Sequence, residues 1–193
     1  MTFSHQTGRL SQLFMGFITA LLLLPFAARA ADYEIEIVKS QGILYLKHGD
    51  KVEKTFHAAF GYGGKGDKRQ VGDHKTPIGV YRIVKVKDSD KFHRFMLLNY
   101  PNVKDAYWGL KNGLLTRTEF DAIIDAARAG HPPPQNTPLG GAVGIHGIGE
   151  ITPDKLTIHE NINWTEGCIA LTNEQIDELS RYVEIGTKVV INE

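Results

Sequence analysis

The chain has 193 residues, 42% hydrophobic and 23% charged, with 22 Lys and Arg balancing 22 Asp and Glu. This is the balance of one globular domain, or at most two small ones, and it excludes a disordered chain. With no net charge and no basic cluster, nothing pulls the chain toward nucleic acid. The single cysteine, Cys168, excludes an intrachain disulfide framework and a cysteine-only metal site.

Residues 13–26 (LFMGFITALLLLPF) form an apolar run. The run is shorter than the roughly 20 residues that span a bilayer. Arg9 precedes it, and Ala28, Arg29 and Ala30 follow as an A-x-A site. The segment 1–30 is therefore expected to be a secretory signal peptide cut after Ala30, with an uncleaved anchor as the alternative. The remaining residues, 31–193, are expected to form a single domain in a bacterial periplasm or at the cell surface. In that oxidising compartment an unpaired cysteine is either buried and inert, or used.

Alternating apolar and charged residues predict strands over 33–37, 43–47, 51–60 and 80–87. Further strands are expected over 94–100, 155–159 and 188–191. Two helices carry capping boxes. Thr116 with Glu119 opens one, followed by Phe120, Ile123, Ile124 and Ala127 at helical spacing. Thr172 with Gln175 opens the other, with Ile176, Leu179 and Val183 on its apolar face. The expected class is mainly β with two helices. The proline-rich loop 131–141 (HPPPQNTPLGG) reads as rigid and polar, as functional loops often are.

The chemistry lies toward the C-terminus. Cys168 follows Gly167 and comes just before the second capped helix. A helix N-terminus favours a thiolate. His146 lies upstream among Gly144, Gly147 and Gly149, which leave room around an imidazole. Cysteine and histidine together make a nucleophile and its base. On these residues alone, a buried core cysteine and a structural histidine remain the alternative.

Four segments, in order, carry a family resemblance: G-D-H-K-T-P-I-G-V-Y at 72–81, T-P-L-G-G at 137–141, I-H-G at 145–147 and T-E-G-C-I-A-L at 165–171. Together they resemble the L,D-transpeptidase catalytic domain, the YkuD family, over nearly all of 33–191. The resemblance implies a compact β-sandwich with a helix on one side and a capping loop over the site. It implies a periplasmic enzyme acting on peptidoglycan stem peptides without a metal or organic cofactor. Cys168 would be the nucleophile and His146 the general base. The Gly147 carbonyl would orient His146, and Gly167 with Cys168 would supply oxyanion-hole N–H groups. The acyl group would pass to the amine of a neighbouring stem, or to a wall-attached protein. A monomer is expected, and no nucleic-acid partner.

Two residues depart from the usual family pattern. Glu166 stands where a second histidine is common, and Ala170 where an arginine is common. A carboxylate beside Cys168 disfavours its thiolate. Glu166 is therefore expected to point away or to meet a cation such as an acceptor ammonium. Thr165, Trp164, Tyr62 and His159 are further substrate-binding candidates. His159 is placed in a strand, Trp164 is read as an anchor for the cysteine loop, and His131 as a residue of the capping loop. His74 reads as an exposed loop residue. A zinc site from His131, His146 and His159 matches no known ligand spacing. Three outcomes remain open: transpeptidation, hydrolysis through the same acyl-enzyme, and a non-catalytic peptidoglycan-binding module.

Overall fold

The structure, a computed structural model, describes residues 1–2 and 33–193. The predicted apolar run and its cleavage site lie outside the described residues. The described residues form eight strands: β1 (Tyr33–Val38), β2 (Ile43–His48), β3 (Lys51–His57), β4 (Gly79–Ser89), β5 (His93–Leu98), β6 (Gly144–Gly147), β7 (Ile169–Leu171) and β8 (Lys188–Asn192). They join in the order β3-β2-β1-β8-β4-β5-β6-β7. The helices are α1 (Val103–Lys111), α2 (Arg117–Arg128), α3 (Pro153–Asn161) and α4 (Asn173–Leu179).

Alternation explains the first half of the sheet. Ile35 and Ile37 of β1 and Leu44 and Leu46 of β2 are fully buried, while Glu34 and Glu36 pair outward with Lys188 and Lys47. β8 enters parallel to β1 and antiparallel to the start of β4, so the last strand lies in the middle of the sheet.

β4 changes partner along its length. Gly79–Arg82 pairs with β8, and from Ile83 onward the strand pairs with β5. A register shift between Ile83 and Lys85 marks the changeover, so that Ile83 faces Leu98 but Lys85 faces Leu97. Such an irregularity bends a strand and re-aims its side chains. Before it, odd-numbered Tyr81 and Ile83 point into the core; after it, odd-numbered Lys85 and Lys87 are exposed. The two half-sheets fold over one core, in which Ile35, Leu44 and Val189 from one half meet Met96, Ile145 and Ile169 from the other. This is a β-sandwich.

The far ends of the sheet also meet. Just beyond β3, Ala59 exchanges both backbone hydrogen bonds with Ala170 of β7, at 3.0 and 2.8 Å. A smaller core of Ala106, Leu115, Ile123 and Leu139 joins α1 and α2 to the proline-rich loop.

Two expectations are corrected. The described residues hold four α-helices rather than two. Of the two not anticipated, α1 is opened by a capping box of Asn102 with Asp105. The expected strand over 155–159 is instead part of α3. There Thr152 accepts from the Lys155 N–H and Pro153 occupies the first turn, where its missing N–H costs nothing. The helix buries His159 and exposes Ile158, the reverse of what an alternating strand would do.

Candidate active site

His146 lies on β6, and Cys168 immediately precedes the neighbouring strand β7. In the parallel pair β6–β7, His146 stands opposite Ala170 and Ile145 opposite Ile169. Carried back one residue, that register sets Cys168 opposite Gly144. Strand spacing and rise then put the Cα atoms of Cys168 and His146 about 8 Å apart on one face. Both side chains line a cleft of about 860 Å³.

The imidazole sits in an aromatic box. Its ring centroid is 4.2 Å from Phe92, 6.0 Å from Phe95 and 6.1 Å from Trp164. His146 is 2% exposed, and burial pulls its pKa down to about 4. Its Nδ1 lies 2.8 Å from the Gly147 carbonyl oxygen. A carbonyl only accepts, so Nδ1 carries the proton and the Nε2 lone pair is free.

The thiol is also uncharged at rest. Burial pushes the Cys168 pKa up to about 11; the Gly144 N–H and the Lys68 charge oppose this, and the Glu166 charge adds to it. The Sγ–H group donates to the Ala142 carbonyl at 3.4 Å. Ala142 holds a left-handed φ of 53°, a conformation few non-glycine residues adopt. Gln135 of the proline-rich loop braces it, accepting from the Ala142 N–H at 2.7 Å. The expected thiolate-favouring helix terminus is corrected: Cys168 precedes β7, and α4 begins only after the Thr172 cap.

The cysteine loop is strapped to the segment after β3. The Thr165 N–H donates to the Phe60 carbonyl at 3.0 Å, and the Tyr62 N–H to the Thr165 carbonyl at 2.9 Å. The Thr165 hydroxyl donates to the Cys168 carbonyl at 2.7 Å and accepts from the Gly167 N–H at 3.2 Å. That N–H is therefore committed within its own turn rather than free for an oxyanion. Gly167 has φ 128°, and a Cβ there would stand 2.7 Å from the Lys75 carbonyl. The glycines around His146 serve backbone approach as well as space. A Cβ at Gly147 would lie 2.9 Å from the Phe92 carbonyl, and one at Gly149 would collide with that of Lys91. They seat the tip of the β4–β5 hairpin.

Of the sequence candidates, Cys168, His146, Gly167, Glu166, Thr165 and Trp164 line the cleft. Glu166 is exposed there. Tyr62 does not line it; it is exposed at the rim, stacked on His74 at 4.3 Å, and His74 does line the cleft. His159 is corrected. It is 1% exposed and lies behind Trp164, whose Nε1–H donates to its Nδ1 at 3.4 Å, so it is out of reach of substrate. His131 is exposed and outside the cleft, although Gln135, Gly140 and Gly141 of its loop form part of the wall. Ala170 is fully buried between His146 and Ala59. Among the described residues, no three His, Cys, Asp or Glu side chains converge to hold a metal ion.

Sequence reasoning missed other parts of the wall, among them Lys68, Lys85, Lys87 and Lys91, the rings of Phe92 and Phe95, and Ala142. The alternation of Lys85 and Lys87 was visible, but not which cavity it faces.

Fold and cleft define a class, a β-sandwich protein with cysteine and histidine on one wall. The chain belongs to the L,D-transpeptidase catalytic domain family, YkuD, whose family model matches residues 32–191. Solved structures of similar fold include the helical cell shape determining protein Pgp2 from Campylobacter jejuni, at 20% identity and TM-score 0.54, covering 83% of this chain and 47% of that one. Its K307A mutant matches with the same identity and coverage at TM-score 0.53. An L,D-transpeptidase from Xylanimonas cellulosilytica matches at 16% identity and TM-score 0.49, covering 85% of this chain and 62% of that one. The chain thus spans about half to three-fifths of the length of these structures. No curated protein matches the sequence.

Proposed function

We propose that the protein is a cysteine L,D-transpeptidase acting on peptidoglycan stem peptides outside the cytoplasm, exported by a signal cut after Ala30. The observation that carries this reading is the free Nε2 lone pair of a neutral His146, on the same cleft wall as Cys168. The thiol rests neutral, so His146 acts as a general base during attack. Nε2 takes the Sγ proton as sulfur adds to the carbonyl of the third stem residue, a diamino acid. The backbone N–H of Cys168 meets the developing oxyanion. The C–N bond to the terminal D-alanine then breaks, the leaving amine takes the proton from His146, and a thioester remains. An acceptor amine from a neighbouring stem gives its proton to Nε2, attacks the thioester and releases the thiol. Exposed Glu166 on the cleft wall attracts that amine in its ammonium form, which loses its extra proton to solvent before the attack. The protein works as a monomer.

The test is mass spectrometry of the protein mixed with disaccharide tetrapeptides, beside Cys168→Ser. A 3→3 crosslinked dimer that needs Cys168 is the expected product. Tripeptide and free D-alanine without dimer would convert the reading to an L,D-carboxypeptidase. Absence of both product and acyl adduct would overturn the enzyme reading and leave a peptidoglycan-binding module.

A further inference from the structure

The cleft wall carries more positive charge than the proposed chemistry uses. Four lysines line it, Lys68, Lys85, Lys87 and Lys91, against the single carboxylate of Glu166. The charge of Lys68 is already met, since its Nζ lies 2.7 Å from Asp73 and donates to the Gln70 carbonyl. Lys85, Lys87 and Lys91 are exposed and enter no ion pair among the described residues.

Strand register ties two of these lysines to the reacting groups. Lys87 stands opposite Phe95, which stands opposite His146. Lys85 stands opposite Leu97, which stands opposite Gly144, the position facing Cys168. The two rows run side by side across β4, β5 and β6. Two strand spacings set the lysine Cα atoms about 10 Å from those of His146 and Gly144. The Lys87 Nζ lies 5.9 Å from the Phe95 ring centroid, and the Lys91 Nζ 4.9 Å from that of Phe92. Both rings pack on His146. These two ammonium groups thus lie over aromatic faces beside the reaction centre while remaining open to solvent. This arrangement depends on the β4 irregularity, without which Lys85 and Lys87 would lie on the opposite face.

We propose that Lys85, Lys87 and Lys91 form a carboxylate-binding wall that holds the acyl-donor peptide by a free carboxylate beside its scissile bond. The proposal rests on the peptide-substrate reading above. A carboxylate suits the wall because it accepts charge-assisted hydrogen bonds from several ammonium groups at once. The field of Lys91 reaches both reacting groups, lowering the pKa of His146 and of Cys168. A bound carboxylate would partly cancel that field. Two carboxylates on a stem peptide qualify: that of the terminal D-alanine and the side-chain carboxylate of a diamino acid.

The test measures equilibrium binding by calorimetry on the Cys168→Ala protein, so that its readout does not depend on turnover. The probes are a tetrapeptide with free carboxylates, its C-terminal amide and its side-chain amide. Lys85→Gln, Lys87→Gln and Lys91→Gln alter exposed side chains, and circular dichroism checks that each variant folds. Each is expected to weaken the free peptide roughly three- to tenfold, the scale of one charged hydrogen bond in an open cleft. Each should leave the correctly amidated peptide unaffected, and whichever amide escapes identifies the carboxylate. Equal weakening of all three peptides, or none, overturns the wall. Failure of the transpeptidase reading would appear separately, as peptide binding in this assay without acylation of the intact protein.

Discussion

The imidazole of His146 is tethered to the carbonyl of its own neighbour, Gly147, 2.8 Å from Nδ1. One ring nitrogen is thereby fixed as donor, and the other keeps its lone pair. Burial holds the ring neutral, with its pKa at about 4 against an ordinary 6.5.

This has a consequence for acid stability. Between pH 6.5 and 4 the unfolded chain binds a proton at His146 that the folded chain refuses. Stability therefore rises with pH across that window and falls as the medium is acidified. The loss attributable to His146 is on the order of 3 kcal/mol by pH 4. Thermal melts at pH 7 and pH 4.5 should separate widely for the parent and less for His146→Gln. Equal separations would show that other groups govern the acid limb.

Thiol reactivity should rise with pH rather than level off. With Cys168 pushed up to about 11 and His146 down to about 4, no thiolate–imidazolium pair accumulates near neutrality. Iodoacetamide alkylation is expected to accelerate about tenfold per pH unit from 7 to 10. A plateau between pH 5 and 8 would reveal an ion pair and contradict the neutral resting state. Replacing Glu166 with Gln removes a charge that raises the thiol pKa, and should shift the curve toward lower pH.

Thr165 braces the cysteine turn through one hydroxyl, bonded to both the Cys168 carbonyl and the Gly167 N–H. Thr165→Val preserves the shape and strands both partners, at a cost of about 1–3 kcal/mol. Thr165→Ser should recover most of the loss. Urea unfolding of the three proteins decides this, because a purely volumetric role would make serine the worse substitute.

Gly167 has no room for a side chain, and its backbone lies in a region that favours glycine. Gly167→Ala is expected to unseat the loop from Lys75, costing roughly 1–3 kcal/mol of strain. Acyl-adduct formation with a tetrapeptide should fall well below that of the parent while the far-ultraviolet spectrum stays native. Unchanged adduct formation would mean that the loop tolerates the shift.

Much of this was legible in the sequence, for definite physical reasons. Capping boxes at Thr116 and Thr172 are local signals, and the helices start where those residues stand. The alternation in β1 reports a half-buried strand directly. His146 and Cys168 were legible as a pair through their glycine contexts. His159 misled because L-T-I alternates like a strand, while Thr152 and Pro153 outweigh that pattern by opening a helix. The lysine wall was invisible because a one-residue register shift leaves no mark on composition. Lys68 and Lys91 reach the cleft from outside the strands, through contacts distant in sequence.

The place of β8 bears on when the protein becomes competent. Its residues are synthesised after those of every other strand among the described residues, yet they pair with β1 on one side and β4 on the other. Until they arrive, β1 and β4 each lack a central partner and the two half-sheets cannot close over their core. Ala170, whose bridge to Ala59 seals the cysteine loop, is nearly as late. Such long-range pairings form slowly. A nascent chain would thus carry His146 and Cys168 before its two half-sheets could close over the core beneath them.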